Sequence, residues 1–376
     1  MKKLIKLCLS FFLLSILSAC ANQQPPVHSL GVSSDGRYVI SAHRGGKLFL
    51  WDIQKKEKTL LAKNAFSSSA YFIPDSHEFM WQDGNNVVHI QNIEGKEISQ
   101  FPHFKTRGQI ISTDKSFYLS ADEWGKFYKG HGKNLVPIYT DAPIGPSQPY
   151  KFVIVGNYLL SVGDVLTARG DPPAQTKLTA NPVNPDKYKK DSYLGMTLWN
   201  IKSLKPLARL WGNSGRTMGL ISPDGKWIIA TSANAQRYMW SLLNPNQRSR
   251  LADTDGIFKD ETMTEDKSKL LPIPEKFRDK QISRSDSFAV AFVTEKDFIL
   301  LPNSNDELAL LYTTGDPWIK AYVEIGNKPE ISRGNLSIAS AYKANILVTG
   351  QYGRGGINVY KYHPETKELE KIWVAD

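Results

Sequence analysis

Few residues of this 376-residue chain stand at spacings that support catalysis or metal binding. The seven histidines never pair at the intervals that zinc ligands use, and no Gly-x-Ser-x-Gly, His-Glu-x-x-His or phosphate-loop motif occurs. The run Asp253-Thr254-Asp255-Gly256 is similar in spacing to a calcium loop, but Phe258 stands where the sharp turn needs glycine. We therefore expect an acidic, solvated loop there, and the sequence predicts no catalytic residue, no metal site and no cofactor.

The N-terminal segment has the composition of a secretory signal peptide. Three lysines within the first six residues precede Leu7–Leu17, an apolar run too short to span a bilayer comfortably. This run ends in Leu17-Ser18-Ala19-Cys20, which resembles the bacterial lipobox, where a signal peptidase cleaves before the cysteine and the thiol receives a diacylglycerol. The resemblance implies that residues 1–19 are a lipoprotein signal peptide and that Cys20 is lipidated. An ordinary secretory peptide with a chance cysteine is the alternative.

Lipidation of Cys20 would determine both the location and the redox chemistry of the protein. Cys8 leaves with the signal peptide, so the mature chain keeps no free thiol and no disulfide. In the lipoprotein family an aspartate after the cysteine retains many proteins at the inner membrane, whereas Ala21 stands here. The resemblance therefore implies the outer membrane of a Gram-negative bacterium, facing the periplasm or the surface. Several acyl chains, palmitate among them, would hold the linker of residues 20–26 firmly.

Residues 27–376 are organised by a repeated frame of short strands and turns, which predicts a single all-β domain. Ser33–Asp52 predicts a strand ending in an Asp-Gly turn, a second strand, a Gly-Gly turn and a third strand closing on tryptophan. Ser222–Trp240 repeats the frame, and in both copies the turn aspartate and the closing tryptophan lie sixteen residues apart. Looser copies recur about every fifty residues, which favours a β-propeller of seven four-stranded blades. Eight blades are the alternative if residues 252–282 contain a degenerate unit.

The two clear copies resemble the WD-repeat family of β-propellers, and the resemblance implies a rigid scaffold for protein binding. In that family a histidine and an aspartate help to lock each blade through hydrogen bonds. This chain lacks the Gly-His dipeptide before its blades, and His43 with Gly45-Gly46 occupies the turn where the aspartate is expected. The resemblance therefore does not carry the polar lock over to this chain, and we expect packing between blades to carry more of the stability.

The order of the strands predicts how the ring closes and where its long connections lie. The first unit begins with an innermost strand and the last ends with an outermost one, so we expect the first and last blades to pack without exchanging a strand. Residues 167–192 and 252–282 show no strand pattern and are predicted to be long loops. Both should leave the ring on the face that carries the linker, towards the membrane or a membrane-bound partner.

The candidate partner-binding residues form a basic and aromatic cluster in the first long loop, where binding residues often concentrate. They are Arg169, Lys187, Tyr188, Lys189, Lys190 and Tyr193. The net charge of +10 falls to +7 without the leader, and its scattered lysines and arginines do not indicate nucleic-acid binding. We expect a membrane contact through the lipid and another envelope protein as partner.

The function that the sequence favours is a lipid-anchored, non-enzymatic interaction or assembly scaffold. The alternative is a periplasmic propeller hydrolase, or a binder of a small ligand or an anionic polysaccharide, that uses the mouth of the central channel. Such a site needs converging acids or histidines at the ends of the inner strands. Those positions are poor in catalytic side chains at Val27–Ser33, Lys151–Val155 and Phe288–Val293, which counts against the enzyme.

Overall fold

A computed structural model describes most of the propeller domain. The described residues are 25–66, 70–106, 108–112, 114–121, 127–131, 134–138, 148–164, 196–210, 217–232, 237–243, 248–252, 269–278, 289–301, 308–325, 338–351 and 355–376. Residues 1–24 and the greater part of both predicted long loops therefore lie outside the described residues. No helix in the described ranges is long and apolar enough to cross a bilayer.

The described strands form seven antiparallel sheets of four strands, and each sheet takes its strands in chain order. Blades one and two comprise β1 (Val27–Val32), β2 (Tyr38–His43), β3 (Leu48–Asp52), β4 (Glu57–Ala62), β5 (Tyr71–Phe72), β6 (Glu78–Gln82), β7 (Val87–Asn92) and β8 (Glu97–Pro102). Blades three and four comprise β9 (Gly108–Ile111), β10 (Tyr118–Ala121), β11 (Phe127–Lys129), β12 (Val136–Pro137), β13 (Gln148–Val155), β14 (Tyr158–Asp164), β15 (Met196–Asn200) and β16 (Pro206–Arg209).

The remaining three blades follow the same order. They comprise β17 (Thr217–Ile221), β18 (Trp227–Ser232), β19 (Arg237–Ser241), β20 (Arg248–Arg250), β21 (Ala289–Phe292), β22 (Asp297–Leu301), β23 (Leu308–Thr313), β24 (Asp316–Glu324), β25 (Ile338–Ala341), β26 (Ile346–Gly350), β27 (Ile357–His363) and β28 (Glu368–Ala375). First strands of neighbouring blades contact one another, as β21 contacts β25 and β25 contacts β1. This architecture confirms the predicted seven-bladed β-propeller.

The turn between the first and second strands is built by a serine and an aspartate two residues apart. The Ser33 hydroxyl donates to Asp35 Oδ1 at 2.5 Å and accepts from the Tyr38 amide at 2.9 Å, while Gly36 supplies a φ of +74°. The same two bonds recur around Ser222 and around Ser112. Three blades therefore share one side-chain-built turn, which explains why the Ser-x-Asp spacing is visible in the sequence.

The apolar core is divided among the interfaces between blades. Seven clusters of buried side chains in the described residues each join two neighbouring blades, as when Tyr38 of blade one packs with Phe79 of blade two. Gly31 allows the first strands of these two blades to approach, because a Cβ there would lie 2.7 Å from Tyr71 Cα. Each sheet thus buries its apolar faces against its two neighbours.

Blades one and seven close the ring by packing, as the strand order predicts. One cluster contains Val39 and Trp51 of blade one together with Val348 of blade seven, and the rings of Trp51 and Trp373 lie 6.0 Å apart edge to face. The Lys58 ammonium also donates to the backbone carbonyl of the last residue. No strand is exchanged between the two ends of the described domain.

Part of the second predicted loop packs on the outside of the ring. In residues 269–278, a short 3-10 turn, Glu275–Phe277, buries Phe277 in the interface between blades five and six. The Tyr322 hydroxyl on β24 donates to the Leu271 carbonyl at 2.9 Å. This stretch has no strand pattern, as predicted, but Phe277 holds it against the outer strand of blade six.

Candidate functional site

The predicted site residues all lie outside the described residues. This holds for the lipidation site and for the basic and aromatic cluster, namely Cys20, Arg169, Lys187, Tyr188, Lys189, Lys190 and Tyr193. The described candidate sites lie at the two ends of the ring, on the inner strands and in an outer groove.

The linker is fastened to the turn between the second and third strands of blade one. His43 Nδ1 lies 2.8 Å from the Pro25 carbonyl oxygen, and the Arg44 amide donates to the Pro26 carbonyl at 2.9 Å. We call this end of the ring the linker rim; it carries the turns between second and third strands and the connections from each outer strand to the next inner strand. The end that carries the turns between first and second strands is the opposite rim.

A chain of three buried side chains supports this fastening. The Trp51 indole N–H donates to the Ser41 hydroxyl at 2.8 Å, and Ser41 Oγ lies 2.8 Å from His43 Nε2. Because the Pro25 carbonyl can only accept, His43 carries its proton on Nδ1 and its Nε2 accepts from Ser41. Burial, the largest cause, lowers the pKa of His43 to about 4. The imidazole is therefore neutral at physiological pH.

Blade one thus has a polar lock, although its sequence departs from the pattern of the WD-repeat family. A histidine, a serine and a tryptophan do form a lock, and the backbone carbonyl of Pro25 accepts the bond that an aspartate would accept. The sequence could not reveal it, because a carbonyl acceptor carries no side-chain signal. The sequence places His43 in the turn, and the burial of its imidazole assigns the role.

In the described residues, blades four and five retain only parts of this lock. In blade four the Trp199 indole donates to Ser161 at 2.9 Å, which is the same relation as Trp51 to Ser41. In blade five Trp240 pairs with Ile228 across the sheet, so the position equivalent to Ser41 is Ala230. The Trp240 indole N–H is buried and has no hydrogen-bond partner among the described residues.

The opposite rim joins blades one, two and seven through charged pairs. Asp35 Oδ2 lies 2.8 Å from His77 Nε2, and Lys343 Nζ of blade seven lies 3.1 Å from Asp75 Oδ1 of blade two. Burial raises the pKa of Asp35, but hydrogen bonds from the Ser33 hydroxyl, the Arg37 amide and His77 outweigh it and lower the pKa. The pairs border an open hollow of about 520 Å³. Asp35 is paired with a base of the next blade, and Asp75 is paired with a base of blade seven across blade one, which supports ring closure.

Among the described residues, one lysine and no arginine lies on an innermost strand, the strand of each blade that borders the central channel. Lys151 lies on β13, half-buried, and desolvation lowers its pKa to about 8. Its ammonium has no ion pair or hydrogen bond within the described part of the chain. The Lys151 side chain is therefore a weaker base than an ordinary lysine, and when protonated it is a poorly solvated cation on the inner strand of blade four.

An open groove runs between the outer strands of blades six and seven. It encloses about 580 Å³ and is lined by β24, by the start of β28 and by the segment that ends at Phe277. Lys276 Nζ crosses it to Glu368 Oε1 at 3.4 Å. This groove has mixed charge, because lysines and glutamates both line it.

No group of three or more histidine, cysteine, aspartate or glutamate side chains in the described ranges is placed to hold a metal ion. The chain matches no protein-family model, and it matches no curated protein. The resemblance to WD repeats thus rests on the two clear repeats, and the structure adds the seven-bladed architecture to it.

Proposed function

We propose that this protein is a lipid-anchored scaffold of the bacterial cell envelope that binds a membrane-associated partner on its linker rim. The observation that carries the proposal is the fastening of Pro25 and Pro26 to His43 and Arg44. It places the exit of the linker on one defined end of a rigid ring. A lipid at Cys20 would then lie within roughly 20 Å of that rim, since an extended residue spans at most about 3.5 Å.

The long connections leave the ring from the same rim. At the fourth blade Gln148 pairs with Asp164, so the connection that contains residues 167–192 begins at the end where β13 begins. The connection that contains residues 252–282 joins an outer strand to the next inner strand, which places its two ends on the linker rim as well. A partner held at the membrane would therefore meet both connections at once.

The interaction role is non-enzymatic in this proposal. Around the hollow on the opposite rim, Asp35 pairs with His77 and Asp75 pairs with Lys343. Both pairs join different blades and so help to close the ring. The blades supply rigidity because each buries its apolar faces against two neighbours. A rigid ring loses little conformational entropy on binding, which suits a scaffold.

Photo-crosslinking in intact cells tests the scaffold. A photoreactive residue replaces Tyr188 in one long connection or Phe258 in the other, and a matched control replaces Lys226, exposed on the opposite rim. We expect one discrete protein adduct, shared by the first two positions and missing at Lys226, and mass spectrometry would identify it. Adducts from all three positions alike, or from none, would contradict the proposal.

A second candidate is a binder of an anionic ligand in the central channel, and Lys151 is the observation that favours it. An unpaired cation inside the ring would gain a counter-ion from an anionic saccharide or a small carboxylate. Calorimetric titration with an anionic polysaccharide tests this candidate. Binding that is lost in Lys151→Met and kept in Lys226→Met would support it, whereas equal binding by both variants would exclude the channel.

A further inference from the structure

Four cations of blades one and two lie on the linker rim. Arg44 and Lys47 belong to the turn that holds the linker, Lys63 follows β4, and Lys105 follows β8. Arg44, Lys63 and Lys105 are exposed, and none of these three forms an ion pair within the described residues. We call these four residues the basic arc.

Backbone contacts hold the arc together beside the linker. The Ala65 amide donates to the Gly46 carbonyl at 2.8 Å, which fixes the segment of Lys63 against the turn of Arg44. The Phe66 amide donates to the Gln82 carbonyl at 2.6 Å, and the ammonium of Lys105 lies 5.3 Å from the centre of the Phe66 ring. The cations therefore follow one continuous edge that begins where the linker leaves the ring.

The acidic residue on this part of the linker rim, Asp83, is buried. Asp83 is 7% exposed, and its Oδ1 accepts from the amides of Asn85 and Val87 at 2.9 and 2.8 Å. On the opposite rim, by contrast, Lys115 pairs with Glu78 and Lys343 pairs with Asp75. Lys55, Lys56 and Lys96 of blades one and two are also exposed on that opposite rim, but acidic residues outnumber the cations there, so the net positive charge of these two blades lies on the linker side.

We propose that the basic arc docks on the anionic headgroups of the membrane that holds the linker. This inference rests on the proposed function for its setting, because the lipid at Cys20 would keep the arc within a linker's length of the surface. Basic side chains near an anionic bilayer are attracted within about a Debye length, and the attraction adds to that of an acyl anchor. The ring then stands with blades one and two against the bilayer and with the long connections beside it.

Vesicle flotation tests the docking without the lipid. The full chain with Cys20→Ser is mixed with phosphatidylcholine vesicles that contain or lack phosphatidylglycerol. The test variant adds Arg44→Gln, Lys63→Gln and Lys105→Gln. The matched control adds Lys55→Gln, Lys226→Gln and Lys296→Gln, which remove the same charge from exposed positions of the opposite rim.

We expect the parent and the control to bind phosphatidylglycerol vesicles in a salt-sensitive manner and the arc variant to bind them roughly 100-fold more weakly. The uncleaved leader contributes equally to all three proteins, so the difference among them reports the arc. Equal binding by the arc variant and the parent, or an equal loss in the control, would overturn the docking surface. Neither result depends on lipidation or on the crosslinked partner, so a failure here is distinguishable from a failure of the scaffold.

Discussion

Protonation of His43 is expected to weaken blade one from within. The His43 imidazole is 0% exposed, its Nδ1–H donates to the Pro25 carbonyl, and its Nε2 accepts from the Ser41 hydroxyl. A second proton on Nε2 would remove the acceptor of the Ser41 hydroxyl hydrogen, and Ser41 Oγ would have to accept from His43 as well as from Trp51. Protonation would therefore break one buried hydrogen bond and place a positive charge in a buried site, which is costly.

The magnitude follows from the pKa of the imidazole. Burial lowers it to about 4 in the folded chain, against 6.5 for an unperturbed histidine. Because the folded pKa is the lower one, the unfolded chain takes up the proton first, and stability is lost as the pH falls from 6.5 to 4. A difference of this size corresponds to about 3 kcal/mol.

Urea unfolding followed by tryptophan fluorescence at several pH values between 7 and 4 measures this loss. His43→Gln cannot titrate, so its free energy of unfolding should fall by about 3 kcal/mol less than that of the parent over the same pH range. The control Arg44→Gln changes an exposed residue of the same turn and should keep the steep pH dependence. His103, whose pKa burial also lowers to about 4, should add an acid loss common to all three proteins.

Parallel pH curves for the parent and His43→Gln would refute the reasoning. They would mean that the His43 imidazole accepts a proton as readily in the folded chain as in the unfolded chain. That would contradict the assigned direction of the Trp51–Ser41–His43 hydrogen bonds. A steep curve in His43→Gln together with a flat one in Arg44→Gln would refute it equally.

Three further substitutions test the blade architecture by urea unfolding. Ala230→Ser should place a hydroxyl where the Trp240 indole lacks an acceptor and should stabilise the chain by about 1 kcal/mol; an unchanged midpoint would contradict the equivalence with Ser41. Ser222→Ala removes the hydroxyl that binds Asp224 and should cost about 1–2 kcal/mol, and no loss would show that the turn does not need it. Lys151→Met should stabilise the chain by about 1 kcal/mol at pH 7, allowing for partial exposure. The folded pKa of Lys151, about 8, lies below the ordinary 10.5, so this advantage should vanish as the pH rises from 8 to 10.5; a constant advantage would contradict the desolvated cation.

The features that the sequence predicts best are those made by residues close together in the chain. The Ser-x-Asp turns at Ser33 and Ser222 use side-chain bonds that span two to five residues, so their spacing is visible without a structure. The third copy at Ser112 is harder to recognise, because Lys115 takes the left-handed φ of +58° where the other copies have glycine. The turn is therefore predicted by the local Ser-x-Asp hydrogen bonds, and it forms with either glycine or lysine at the left-handed position.

Contacts between distant segments could not be predicted. The lock of blade one depends on the Pro25 carbonyl, and any residue at position 25 would supply the same group. Phe277 is a single aromatic residue in a charged, proline-containing stretch, and its burial depends on Tyr322 and the outer strand of blade six. The basic arc is assembled from residues 44 to 105 by the ring geometry, whereas the sequence shows only scattered lysines and arginines.

The account depends on the lipid at Cys20, and mass spectrometry of the mature N-terminus tests that lipid most directly. Protein purified from bacterial membranes in detergent is digested, and its N-terminal peptide is sequenced. The account predicts a peptide that begins at Cys20 and carries a diacylglycerol on the thiol, with Cys20→Ser left uncleaved. A mature chain with an unmodified Cys20, or one that begins elsewhere, would contradict the anchoring.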